Sequence, residues 1–279
     1  MVTRMRFPAS NKGVTMRNFV FTLLMSAPMA LLGADKPELT EAEAQQVIQK
    51  FAAKEAEFAL AREVYTYRQS VKIQELGSGG QPGGKYEIVS DIIFSANGKR
   101  TEKVVRAPAN TLKEILLTPE DEQDLRSVQP FVLTSKDIDQ YLVRYIGRET
   151  LDEISCFSFS VKPKKMEKGK RYFQGTVWVD DRDLQIVKSY GRATGIVKSE
   201  NNQFPKFETF REQIDGKYWF PTFTTATDTL NFKDNSVRIK MTVRYEDYKQ
   251  FKSDTKITFG DVVEPAAAPQ KAPPLPPKK

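Results

Sequence analysis

Four carboxylates could do acid–base work in this chain: Asp180 and Asp183 in the turn Asp180-Asp181-Arg182-Asp183, and Glu208 and Glu212 a few residues further on. A glycoside hydrolase needs two such groups, about 5 Å or about 6.5–9.5 Å apart across a cleft. Aspartates in a turn ordinarily stay solvated and bond the local backbone. Glu208 and Glu212 are an even number of residues apart, so they share a strand face without forming a catalytic pair. The chain has no histidine, which removes the usual base of serine and cysteine triads and every histidine metal site. Its sole cysteine, Cys156, excludes multi-thiolate zinc and iron–sulfur sites and has no partner for an intrachain disulfide; in the run ISCFSFSV it suits core filling. A calcium loop counted from Asp180 would place glycine at 185 and glutamate at 191, where the sequence has Gln185 and Gly191. The glycine-rich stretch GSGGQPGG (77–84) misses the dinucleotide spacing at Pro82 and precedes no helix. The expectation is a protein that is not an enzyme and has neither a metal nor a cofactor.

Binding is better served. Phe51, Phe58, Tyr65, Tyr67, Phe94, Phe157, Phe159, Trp178, Tyr190, Trp219 and Phe223 are the aromatic residues that could wall an apolar cavity, although the same rings would also fill an ordinary core. Against an acyl chain each buried methylene contributes about 0.8 kcal/mol, so ten give roughly 8 kcal/mol before ordering costs. No charged catalytic group is required.

The elements that must position these rings follow from periodicity. Thr40-Glu41-Ala42-Glu43 fits a capping box and predicts a helix to about Ala61, with Val47, Ile48, Phe51, Phe58 and Ala59 on one side. Glu55 interrupts that side, either at the rim with its carboxylate in water, which is the simpler reading, or in a specific contact. The period then changes to two. Tyr65, Tyr67, Val71 and Ile73 line one face of a strand, and Tyr86, Ile88, Ile92 and Phe94 line the next. Further strands are predicted at 103–107, 114–118, 141–147, 154–162, 172–180, 184–191, 207–214, 217–228, 237–249 and 255–259, with short helices starting at Thr118 and around Ser135. Asp180–Asp183 and Asp215-Gly216 supply tight turns. A sheet this wide accumulates twist and is expected to curl or close, with the helix over its concave side and a cavity wherever the two do not pack completely.

The ends of the chain read differently. Residues 1–34 carry four basic residues and no acid, then the apolar run FVFTLLMSAPMALL and the small pair Gly33-Ala34, the layout of a secretory signal; Met16 opens a compact version of it. The run is shorter than the roughly 20 apolar residues that span a bilayer, and no later segment is long and apolar enough. Removing the four basic residues from 43 against 36 acidic ones leaves an excess of only three, so the basic balance belongs mainly to the termini. KPKKMEKGKR (162–171) lies between two apolar strands and reads as a solvated hairpin loop, and no nucleic-acid partner is expected. Residues 263–279, which hold six of the sixteen prolines, read as an extended, hydrated tail. Residues 35–262 form the expected β domain, placed in the periplasm.

At FQGTVWVDDRDLQIVKSYG (173–191) the sequence resembles the outer-membrane lipoprotein-sorting family, the LolA/LolB-like group. Trp178-Val179-Asp180 matches the strand-ending motif, and Ile186-Val187-Lys188 lies on the return strand. QIDGKYWFPT (213–222) resembles the family's later hairpin and VRIKMTVRYEDYK (237–249) its closing strand. The resemblance implies a mainly antiparallel β fold, a strongly curved incomplete β-barrel covered by an N-terminal helix and short helices. It implies a non-enzymatic lipid or lipoprotein carrier whose partner is an acyl chain, a lipoprotein or an envelope protein. No cysteine stands at the expected cut, which looks more like the soluble carrier than the lipid-anchored receptor. The family's functional residues have no secure counterparts here. Two other readings stay open: an envelope interaction domain with a packed core, working through a sheet edge or the proline-rich tail, and a carboxylate-based glycoside hydrolase.

Overall fold

The computed structural model describes residues 37–94, 99–196 and 204–250. The expected leader 1–34, the expected strand 255–259 and the tail 263–279 lie outside the described residues. Helix α1 (Glu41–Ala61) starts at the capping box: the Thr40 hydroxyl accepts the Glu43 N–H at 3.3 Å and the Glu43 carboxylate accepts the Thr40 N–H at 2.8 Å. Its buried stripe is Ala44, Ile48, Phe51, Glu55 and Phe58, spaced alternately four and three residues apart. The rim reading of Glu55 is corrected. Its side chain is fully buried and is held by Arg211, with N–O distances of 3.0–3.2 Å, and by the Ile186 N–H at 3.2 Å. A carboxylate in this position needs a cation, and that cation comes from a strand far along the sequence.

Among the described residues ten strands form one antiparallel sheet: β1 (Tyr65–Leu76), β2 (Pro82–Phe94), β3 (Arg100–Arg106), β4 (Tyr141–Leu151), β5 (Ile154–Pro163), β6 (Tyr172–Asp180), β7 (Ile186–Thr194), β8 (Phe207–Gln213), β9 (Trp219–Asn231) and β10 (Ser236–Gln250). Their spatial order is β3-β2-β1-β10-β9-β8-β7-β6-β5-β4. The strongly curved incomplete barrel is therefore corrected: the sheet is open and uncurled, it ends in two edge strands, β3 and β4, and among the described residues no ladder joins them. These edges are consecutive in sequence, so the chain between them must travel from one side of the sheet to the other. That connection carries helix α2 (Pro119–Gln123), a π-helical turn (Asp124–Val128) and a 3-10 turn (Ile138–Gln140), and it buries Leu125, Val128, Phe131, Leu133 and Ile138 in the core. Apolar side chains of the crossing segment thus occupy the face that closure would have covered.

Two further expectations change along this connection. Residues 114–118, expected as a strand, form none, because the buried Glu75 carboxylate takes the N–H groups of Lys113, Glu114 and Ile115 at 2.7–3.1 Å. Amides aimed at one side chain are lost to a ladder. Gly84 permits the approach, since a Cβ there would stand 2.7 Å from a Glu75 oxygen and 2.1 Å from the Thr111 carbonyl. The short helix expected around Ser135 is replaced by the 3-10 turn at Ile138–Gln140. Helix α2 starts where expected, with Thr118 and Asp121 forming a second capping box and Pro119 in its first turn.

Candidate functional site

Parity decides which rings meet. On β1 the residues Tyr65, Tyr67, Gln69, Val71 and Ile73 share the face that packs on α1, and β2 presents Ile88, Ser90, Ile92 and Phe94 opposite them. On β10, Val243 and Tyr245 share that face. Regular alternation would turn Tyr248 away from it. A β-bulge prevents this: Thr66 pairs with Lys249 and Arg68 with Glu246, so Asp247 and Tyr248 together oppose Tyr67, and Asp247 takes a φ of 57°. The extra residue turns Tyr248 inward, 5.2 Å from the Tyr67 ring and 4.8 Å from that of Phe220.

The result is a cavity of about 320 Å³ between the end of α1, the starts of β1 and β9, the end of β10, and the turn after α2. Four of the sequence candidates line it: Phe58, Tyr65, Tyr67 and Phe94. Phe220 joins them, and sequence reasoning did not place Tyr245 and Tyr248 there. Three arginines, Arg62, Arg100 and Arg126, complete the wall. The hydroxyl of Tyr65 donates to Asp215 at 2.7 Å, and that of Tyr248 donates to the Pro221 carbonyl at 2.6 Å. Burial, reinforced by the bond to Asp215, pushes the Tyr65 phenol up to about 12. Burial likewise raises Tyr245 and Tyr248, so these groups stay neutral hydrogen-bonding walls. The same desolvation acts downward on the Arg62 guanidinium.

A second hollow lies on the other side of the crossing segment. It measures only about 60 Å³ and is lined by Ile73, Leu117, Phe207, Leu230, Ile239 and Met241 among others. Asp124 stands at its wall and is gripped by Arg171 at 2.9 and 3.0 Å. Ligand pockets commonly measure about 300–1,000 Å³. The aromatic cavity reaches that range and the apolar hollow does not.

The other sequence candidates are not brought to this cavity. Phe51, Phe157 and Phe159 are packed in the main core, with Phe51 and Phe159 5.3 Å apart. Trp178 alternates with the core residues Val177 and Val179, so it faces outward; its indole N–H donates to Glu149 at 2.9 Å. Tyr190 and Phe223 share that outward face, and Trp219 at the start of β9 donates to Asp183 at 2.8 Å. The candidate carboxylates are likewise engaged singly. Asp180 accepts the Arg182 N–H, Asp183 also accepts from Gln213, Glu208 pairs with Lys188 and Glu212 accepts from Thr222. Cys156 is free and buried, and desolvation pushes its thiol up to about 12, which leaves it inert at neutral pH. Among the described residues no helix is long and apolar enough to cross a membrane.

No protein-family model and no curated protein matches the chain. Among solved structures it is similar to a DUF1329 family protein from Desulfovibrio piger, at 14% identity over 74% of this chain and 92% of that one, with a TM-score of 0.40. It is also similar to a putative outer membrane lipoprotein-sorting protein domain from Vibrio parahaemolyticus, at 11% identity over 73% and 93% of the two chains and a TM-score of 0.34. A LolA superfamily protein from Nitrosomonas europaea shares 13% identity over 75% and 94%, with a TM-score of 0.33. The likenesses are weak, and function has to follow from this chain's own side chains.

Proposed function

We propose that this chain is a non-enzymatic envelope protein, exported to the periplasm, that binds the acyl chain of a lipid or lipoprotein in the aromatic cavity. The observation that carries the reading is the 320 Å³ space walled by Phe58, Tyr65, Tyr67, Phe220, Tyr245 and Tyr248. Two of these phenols already have short hydrogen bonds to the protein, so a ligand there meets ring faces more than unsatisfied hydroxyls. Apolar contact with such a wall is non-directional and scales with the area removed from water.

Native mass spectrometry of gently purified protein is expected to show a lipidic adduct. Ser127→Trp, at an exposed position on the cavity wall, fills the space and is expected to weaken uptake of a fluorescent fatty acid by at least about tenfold, or about 1.4 kcal/mol. Its thermal midpoint should stay close to that of the parent, because surface substitutions usually change stability by about 0.5 kcal/mol or less. Undiminished uptake in a folded Ser127→Trp protein would move the ligand elsewhere. A second reading has one observation in its favour: edge strand β3 leaves Val104 and Val105 about half exposed, as a site for strand addition by an envelope protein would.

A further inference from the structure

One arginine of the aromatic cavity, Arg62, differs from the arginines whose side chains are buried in the fold. Arg171 and Arg211 each grip a buried carboxylate, Asp124 and Glu55 respectively. Arg62 has no such partner: among the described residues its guanidinium makes no hydrogen bond or ion pair. The nearby acid, Glu55, is already taken by Arg211 and the Ile186 N–H, so two cations share the field of one carboxylate. Across the cavity, Arg100 spends its Nη groups on Glu102 and Gln69, each at 3.2 Å, while its Nε is buried without an acceptor. Arg126 stands at the exposed margin on Glu122, and Glu63 is the one acid among the lining residues. A half-buried cation without an anion is costly, and a guanidinium offers its donors in a planar fork matched to phosphate and carboxylate oxygens.

We infer that the cavity selects an amphiphile whose polar end is an oxyanion, a phosphate or carboxylate, received by Arg62 with Arg100 and Arg126 while its apolar body lies against the aromatic wall. The inference rests on the acyl-binding reading and adds the chemistry of the headgroup. Because the contact is between charges, added salt should weaken its binding more than that of a neutral ligand.

The test uses the full chain and titration calorimetry with compounds carrying the same dodecyl tail, below their micellar concentrations: dodecyl phosphate, dodecanoate, dodecyl maltoside and dodecyltrimethylammonium, with inorganic phosphate as the tail-free control. The anionic pair should bind about tenfold tighter than the maltoside, consistent with one or two charge-assisted bonds. Arg62→Gln should bring them down to the maltoside's level. Because it removes an unpaired charge, that variant should melt no lower than the parent. Arg126→Gln, at a partly exposed position, provides a second variant with a smaller loss, about threefold. Equal affinity for every headgroup, or anion selectivity that survives both substitutions, overturns the inference and leaves acyl binding standing. No binding of any dodecyl compound overturns both. Inorganic phosphate binding as tightly as dodecyl phosphate, and lost in Arg62→Gln, would make the site one for a free anion and overturn the amphiphile.

Discussion

The two faces of the sheet use the same ingredients, aromatic rings and cations, in opposite ways. On the outer face, Trp178, Lys188, Phe210, Phe223 and Arg244 stand directly opposite one another on five successive strands, β6 to β10. Lys188 lies 5.0 Å from the Trp178 ring centroid and 5.1 Å from that of Phe210, Arg244 caps Phe223 at 5.3 Å, and Lys188 also pairs with Glu208. Each ring there has a cation and the lysine has an acid. On the inner face the rings of the cavity surround space, and among the described residues Arg62 makes no hydrogen bond or ion pair. Aromatic content alone therefore does not mark a site. A site is marked where packing and pairing are left incomplete.

The largest effect that would break this comparison lies beneath the cavity. Glu55→Ala leaves Arg211 buried and unpaired, and the expected loss is about 3–5 kcal/mol in denaturant unfolding. On the outer row, Lys188→Ala removes a pair that remains partly solvated and should cost about 1 kcal/mol or less. Similar losses from the two substitutions would contradict the distinction between a buried pair and a surface ladder. Glu55→Gln should fall between them, since it can still accept from Ile186 and Arg211.

The crossing segment gives the next effect, through pH. Burial pushes the Asp124 carboxyl up from 3.8 to about 6; Arg171 opposes the shift, while neighbouring Asp121 and Glu120 add to it. Because the folded value is raised, the folded state holds the proton more tightly than the unfolded chain does. This group's contribution is therefore fully present below about pH 4 and is lost as pH rises through about 6. At about 1.36 kcal/mol per unit, the difference amounts to as much as about 3 kcal/mol. Asp124→Asn should remove that segment of the profile: plotted as parent minus variant, stability should decline between pH 4 and 6. A difference that rises over this range would mean that Arg171 dominates and the carboxyl is ionised throughout.

Much of this arrangement was legible in the sequence, because it rests on local rules. Thr40 and Glu43 fixed the helix start, and the two-residue period of Tyr65, Tyr67, Ile92 and Phe94 put those side chains on one face. What was not legible depends on partners distant in sequence. Glu55 looked like a rim residue because Arg211 lies on β8, and the strand expected at 114–118 was lost to Glu75. Tyr248 was out of phase until the bulge at Asp247 reversed it. The sheet stayed open because residues 107–140 cross its face, a matter of topology that periodicity does not encode. The cavity arginines gave no signal, since an arginine in a polar stretch reads as solvated unless its surroundings are known.

The smallest expected effect is at Trp178, where resemblance and aromatic content drew attention first. Its neighbours Val177 and Val179 fill the core, and its own ring lies outward beneath Lys188 with the indole N–H on Glu149. In Trp178→Glu the new carboxylate would stand between Lys188 and Glu149, so an exposed ion pair replaces the cation–π contact while the bond to Glu149 is lost, a net cost of about 1 kcal/mol or less. Dodecyl phosphate affinity should not change, because no part of that side chain reaches the cavity on the other face. A clear loss of affinity with folding intact would place the ligand on the outer row, and the rings capped by Lys188 and Arg244 would then be a binding surface that the ligand uncovers on arrival.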